Sequence, residues 1–353
     1  LEVSELLLMK GNEAIGEAAI KAGCRYFFGY PITPQTEILE YLARRLPEEG
    51  GSYVQAESEV SAINMVFGAS AAGARVMTAS SSPGISLMQE GISYIASAEL
   101  PAVIVNIMRG APGLGGIHPS QADYLQSVKG GGHGDYKLIV LAPSSVQELI
   151  DYTVLAFELA EKYRTPVVIF GDGMMGQMME PVVFPEIEPP SIDRPWATTG
   201  MKDRGPNIIH TLYLPAPDLE NHVNKLFAKY MNIAAQEKRH SSFMTEDAEI
   251  LLVAYGIVGR VARAVVEMAR EDGIKAGLFR PITLWPFPDT ALKQAAQNAK
   301  LLVTSEISMG QMVEDVRLAI NDRIPVESYN RIGLVPTPNE IYDFIKKRAG
   351  EVL

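Results

Sequence analysis

The chain has 353 residues, 47% of them hydrophobic and 21% charged, with 31 Lys and Arg against 42 Asp and Glu for a net charge of −11. Such a composition is globular rather than disordered and long enough for about two domains, and without concentrated basic charge it excludes nucleic acid as a partner. No apolar run approaches the roughly 20 residues that span a bilayer, and residues 1–10 show no basic region before their apolar stretch, so no membrane contact and a cytoplasmic location are expected.

In chain order, the run 26–29 reads as a strand, and Tyr30-Pro31-Ile32-Thr33-Pro34 follows it. Both prolines fix φ at about −65°, and Pro34 biases Thr33 toward extended backbone, so the Thr33 hydroxyl is held at the end of a strand. A helix over 35–45 and a strand over 53–55 come next. Glu57-Ser58-Glu59 then leads into a helix over 59–72 that is rich in small residues. Strands at 76–79, 102–107, 138–141 and 167–170 alternate with helices at 84–98 and 145–163, each helix with apolar residues recurring at three and four. This alternation predicts a doubly wound parallel α/β sheet over 1–180, covered on both faces. Two further features lie at strand ends. Ser82-Pro83-Gly84 opens a helix, where it either presents backbone N–H groups to a ligand or is a plain cap. Arg109 ends a hydrophobic strand, where ligands of open parallel sheets bind, although an ion-paired arginine fits the same position.

Between Gly110 and Gly134 lie eight glycines with His118, Gln121, Asp123 and His133 among them, the composition of a lid or of an ordinary surface loop. From 181 to 246 prolines crowd and the sheet pattern fails, with one polar helix over 219–239; this predicts a connecting arm. Alternation resumes in 247–353 with strands at 250–254, 276–279, 301–304 and 326–329, a second and smaller α/β unit. There, Ala254-Tyr255-Gly256-Ile257-Val258-Gly259 approximates a dinucleotide fingerprint, but Leu278-Phe279-Arg280 stands where its acid belongs, which favours close strand-to-helix packing. The single cysteine, Cys24, permits no disulfide and cannot supply the roughly four thiolates of an iron–sulfur cluster. The five histidines show no zinc-ligand spacing.

Taken together, Tyr30-Pro31-Ile32-Thr33-Pro34, Glu57-Ser58-Glu59, Ser81-Ser82-Pro83-Gly84-Ile85-Ser86-Leu87-Met88 and Met108-Arg109-Gly110 resemble the alpha-type subunit of the 2-oxoacid:ferredoxin oxidoreductases, essentially end to end. Within that family the chain is similar to the subunit assigned to branched-chain 2-oxoacids such as 3-methyl-2-oxobutanoate. The resemblance implies a thiamin diphosphate pyrimidine-binding domain followed by a transketolase C-terminal-like domain. It implies that Glu59 hydrogen-bonds N1′ of the aminopyrimidine, that Pro31, Ile32 and Ser82 help hold the cofactor, and that Thr33 and Arg109 bind the substrate carboxylate. A carboxyl group suits the first task because donation at N1′ favours the imino tautomer that deprotonates the thiazolium. A helix-start carboxylate complementing the macrodipole is the plainer reading of Glu59.

The implied reaction is oxidative decarboxylation to acyl-CoA and CO2. It requires coenzyme A, ferredoxin, a beta-type subunit carrying Mg²⁺, diphosphate and iron–sulfur sites, and gamma-type and ferredoxin-like subunits. Gly171-Asp172-Gly173 resembles the start of the Mg²⁺ motif, yet no asparagine follows before Asn207, so a turn is expected. The same chemistry on 2-oxoglutarate or pyruvate, and a non-catalytic assembly subunit with a degenerate site, remain open alternatives. Gly113-Leu114-Gly115-Gly116 departs from the Gly-Leu-Pro-Thr wording of the family.

Overall fold

The middle of the first sheet consists of strands that are mostly apolar and buried along nearly their whole length, because helices cover both of its faces. In the computed structural model, which describes residues 6–187 and 193–352, every residue of Pro166–Asp172 and all but the last of Ala102–Gly110 are buried. Across this sheet the strands run Thr283–Trp285, Ile139–Leu141, Pro166–Asp172, Ala102–Gly110, Val76–Ser80, Tyr26–Gly29, Ser52–Gln55. All neighbours are parallel except the antiparallel edge Thr283–Trp285, and Gly116–Pro119 adds antiparallel to Ala102–Gly110. Helix Gly11–Lys21 packs with Thr36–Glu48 and Val146–Tyr163 on one face, while Glu59–Ala71 packs with Ser82–Ser97 on the other.

A second sheet has the order His240–Phe243, Ala276–Pro281, Ile250–Val253, Leu301–Glu306, Val326–Asn330, parallel except for its first strand. Helices Gly256–Glu271 and Pro338–Val352 pack together beside it.

The two sheets exchange edges. His240–Phe243, which falls in the expected arm, completes the second sheet, and Thr283–Trp285, from the carboxyl-terminal part, completes the first. Pro189 and Pro190 of the arm lie outside the described residues. Helix Gly11–Lys21, not among the expected elements, buries eight of its eleven residues, among them Gly11 and Gly16, and leaves only the narrow stripe of Glu13, Glu17 and Lys21 uncovered. A methyl group on Gly16 would stand 2.9 Å from the Tyr41 ring. Cys24 is fully buried, and that burial pushes its thiol up to about 12, which makes it inert.

The sheets are joined across their edge by Arg280, whose Nη1 and Nη2 donate to Glu148 at 2.8 and 2.6 Å. Burial alone would raise the Glu148 pKa, but Arg280 and Ser144 hold it below the ordinary carboxylate range. The pair therefore stabilises the fold above the unfolded carboxylate pKa and loses that contribution as pH falls through the depressed folded value. Replacing Arg280 by Ala is expected to destabilise by roughly 3 kcal/mol at neutral pH, because a largely buried carboxylate loses its partner. Urea midpoints measured across pH are expected to show that deficit shrinking in acid.

Candidate active site

Reading the first sheet from Tyr26–Gly29, the chain moves outward to Ser52–Gln55 and then crosses back to Val76–Ser80. The reversal opens a crevice at the carboxyl ends of these strands, the place where parallel sheets bind ligands. Residues 30–34, 57–59 and 81–84 follow three neighbouring strands there, and Arg109 lies near the end of a fourth.

Hydrogen bonds within the chain hold the turn at 30–35. Gln35 N–H donates to the Ile32 carbonyl at 3.1 Å, and Asn12 Nδ2 donates to the Pro34 carbonyl at 2.8 Å. The Thr33–Pro34 peptide bond is cis. Thr33 is exposed, whereas Pro31 and Ile32 are half-buried.

Ser58 caps helix Glu59–Ala71 by accepting from Ser61 N–H at 3.2 Å, so Glu59 becomes its first helical residue. Its side chain turns inward and the residue is only 6% exposed. Among the described residues no hydrogen bond reaches its carboxylate. The reason it fits is a glycine: a methyl group on Gly84 would lie 2.6 Å from Glu59 Oε1 and 2.1 Å from Ser80 Oγ. Glu59 thus rests against the first turn of helix Ser82–Ser97, beside the Ser80 and Ser81 hydroxyls, which are buried and have no partner among the described residues. Glu57 is exposed instead, and accepts from Ser58 and Ser61 hydroxyls that hold its pKa down.

Arg109 is 8% exposed. Its Nη1 donates to the Thr33 carbonyl at 3.0 Å and its Nη2 to the Leu114 carbonyl at 3.1 Å, while Nε is buried with no partner among the described residues. The guanidinium therefore braces the Thr33 turn from behind. The Ser82 hydroxyl accepts from Arg109 N–H at 3.1 Å and lies 3.3 Å from the Arg109 carbonyl, tying the helix start to the strand end.

The glycine-rich stretch after Gly110 divides in two. Residues 112–115 are exposed, and Gly115, at φ +62°, approaches Gly110 so closely that a methyl group would stand 1.5 Å from its carbonyl oxygen. From 120 onward the chain is locked to the second sheet. Gln121, 1% exposed, donates its N–H to the Ile307 carbonyl, accepts from Ile307 N–H, and donates Nε2 to the Tyr255 carbonyl, at 2.8, 2.9 and 3.0 Å. Tyr124 OH donates to Asp315 at 2.8 Å. Asp123, its pKa raised by burial against hydrogen bonds from Ser82 and Asn106, lies between this lock and the crevice. His118 is exposed at the crevice mouth, and His133 is exposed elsewhere.

Asp172 is 1% exposed and accepts from Met174 and Met175 N–H groups, so it caps the short helix Gly173–Gln177; burial raises its pKa to about 6. At Gly259 a methyl group would meet Arg280 Cδ at 2.9 Å and the Ala254 carbonyl at 3.2 Å, the close packing expected for that glycine. No helix among the described residues is long and apolar enough to cross a membrane.

Residues 17–244 match the thiamine diphosphate-binding family described as pyruvate flavodoxin/ferredoxin oxidoreductase, and residues 248–341 match pyruvate:ferredoxin oxidoreductase core domain II. The chain belongs to the 2-oxoacid:ferredoxin oxidoreductases, as an alpha-type subunit. It is 53% identical to the ketoisovalerate oxidoreductase subunit VorB of Methanothermobacter marburgensis over 92% of this chain and 93% of the relative. It is 40% identical to the 2-oxoglutarate synthase subunit KorA of Methanothermobacter thermautotrophicus over 98% and 99%. Among solved structures, the 2-oxoglutarate:ferredoxin oxidoreductase from Magnetococcus marinus superposes with a TM-score of 0.88 at 29% identity, covering 99% of this chain and 66% of that one. The chain is thus a subunit of a thiamin diphosphate-dependent oxidoreductase that works as part of a hetero-oligomer.

The sequence marked Gly84 only as part of a helix start, since the room it leaves for Glu59 exists only in three dimensions. Gly84→Ala improves helix propensity by up to about 1 kcal/mol yet displaces the carboxylate. It is expected to lower turnover of the assembled enzyme by about 10²-fold, the order that follows from misplacing a reacting group by about 1 Å. Steady-state kinetics beside a thermal melt check this.

Proposed function

We propose that this chain supplies the pyrimidine half of a thiamin diphosphate cleft in an enzyme that oxidatively decarboxylates 3-methyl-2-oxobutanoate to acyl-CoA and CO2, with ferredoxin as electron acceptor. The observation that carries this reading is Glu59, 6% exposed at the switch-point crevice, its carboxyl group without a hydrogen bond among the described residues and seated against a glycine that leaves it room. Bound there, the cofactor supplies the nucleophilic carbon that attacks the 2-oxo group and retains the electrons left when CO2 departs. Glu59 holds a proton at N1′ of the aminopyrimidine. Pro31 and Ile32 would wall the crevice that holds the cofactor, and Ser82 would fix the helix start there through its bonds to Arg109. Thr33 donates its hydroxyl to the substrate carboxylate, and Arg109, its Nη atoms on the Thr33 and Leu114 carbonyls, adds positive charge from behind.

The cleft needs a second polypeptide. Helix Glu59–Ala71 is apolar nearly all round, and Val60 and Met65 on it, Leu87 and Tyr94 on the next helix, and Tyr30 on the turn are exposed beside Glu59. A beta-type subunit covering this face would bring the diphosphate, Mg²⁺ and iron–sulfur sites that one buried cysteine cannot. Gamma-type and ferredoxin-like subunits, with coenzyme A as co-substrate, complete the assembly. A cytoplasmic setting suits the unpaired thiol. We place the functional units at 1–180, 181–246 and 247–353, with the edge strands exchanged as described. The branched-chain substrate is favoured over 2-oxoglutarate by the higher identity to the ketoisovalerate subunit.

Glu59→Gln keeps the shape and removes the acid. The complex is expected to assemble and to lose about 10²–10⁴-fold in turnover, the usual contribution of a positioned acid or base. Exchange of the cofactor C2 proton, followed by NMR, is expected to slow in parallel. Retained activity would make Glu59 a structural residue and leave the chain an assembly subunit.

A further inference from the structure

Thr33 opens onto a groove of about 690 Å³ that the substrate assignment above does not use. Its near wall is Thr33 and Pro34, its far wall Ile117 and His118, and its floor Gly173 and Met174. The remaining side comes from the second unit, where Gly333, Leu334 and Val335 approach from a loop beyond strand Val326–Asn330. That loop is fastened at both ends. Arg331 N–H donates to the Glu306 carbonyl at 3.1 Å, and Thr337 donates its N–H and hydroxyl to Glu340 at 2.8 and 2.9 Å. The opposite wall is fastened too, because Gln121 anchors the segment carrying Ile117 and His118 to Tyr255 and Ile307.

Among the described residues the lining contains no lysine or arginine. Its carboxylate, Glu37, accepts from Asn12 at 2.8 Å and Gln177 at 2.7 Å; these bonds outweigh burial and keep its pKa below the ordinary range. At neutral pH the groove is therefore apolar along its length and negative at one end. A second carboxylate is repelled there, and an aliphatic group is accepted.

We propose that this groove receives the aliphatic side chain of the 2-oxoacid whose carboxylate lies at Thr33, and that Leu334 and Val335 of the second unit determine which side chain is accepted. The proposal rests on the substrate reading above. It makes the second unit a wall of the site as well as a packing element. Gly173 has a part in it, since a methyl group there would stand 3.0 Å from Pro34 Cγ and fill the floor.

The test is steady-state kinetics of the complex reconstituted with its partner subunits, using 3-methyl-2-oxobutanoate and 2-oxoglutarate as alternative substrates. Leu334 is 54% exposed, so replacing it does not open the core. Leu334→Arg is expected to raise KM for the branched acid and lower it for 2-oxoglutarate, shifting the kcat/KM ratio toward the dicarboxylate by at least about tenfold. Leu334→Ala, which adds no charge, is expected to raise KM for the branched acid by about fourfold or more, the equivalent of one methylene left unburied. An unchanged kcat/KM ratio in Leu334→Arg, with the parent enzyme still preferring the branched acid, overturns the groove assignment alone. A parent enzyme that prefers 2-oxoglutarate overturns the substrate reading instead.

Discussion

A carboxyl group on an almost wholly covered residue, given no hydrogen bond among the described residues and left open to a crevice, is a group that a ligand can complete. Glu59 is such a group. Its position follows from a short chain of causes: Ser58 starts the helix, the helix start aims the first side chain inward, and Gly84 leaves the volume it enters. The Ser80 hydroxyl, without a partner among the described residues, lies at the same point. Every other assignment at this crevice, from the Thr33 turn to the apolar face beside it, takes its meaning from that carboxyl group.

The second sheet contributes more than bulk. Gln121 uses both ends of its amide and its own N–H on backbone groups of Tyr255 and Ile307, and Arg280 clamps Glu148 across the edge. Of the strands at the two seams, Thr283–Trp285 comes by sequence position from the second unit and His240–Phe243 from the arm. Such exchange suppresses relative motion of the two units, so a groove walled by Ile117 on one and Leu334 on the other keeps a fixed width. Buried, fully satisfied polar contacts of this kind specify a single arrangement.

Much of the first sheet was legible in the sequence, because central strands of a parallel sheet are unbroken apolar runs such as Val167-Val168-Ile169-Phe170 and turn residues bound them. Helix Gly11–Lys21 was not picked out, since its polar stripe is only Glu13, Glu17 and Lys21, and the glycine and alanine on its broad buried face are weak markers of a period. Strand Thr283–Trp285 gave no local sign of which sheet it would join; that choice is made by tertiary contact with Val140 and Leu141. At the site, Thr33 and Glu59 stood out through the prolines and acids around them. The bracing role of the Arg109 guanidinium did not, because its acceptors are backbone carbonyls 76 and 5 residues away in the chain. Likewise Gln121 looked like a loop residue, and only its burial reveals the lock.

The most direct measurement is an experimental structure of the assembled enzyme with thiamin diphosphate bound. The account predicts a Glu59 carboxylate oxygen within about 3 Å of N1′, the span of a charge-assisted hydrogen bond, with the partner subunit closing over Val60 and Leu87. A pyrimidine ring bound away from residue 59, or paired with Glu57 at the surface while Glu59 stays unbonded, would contradict it.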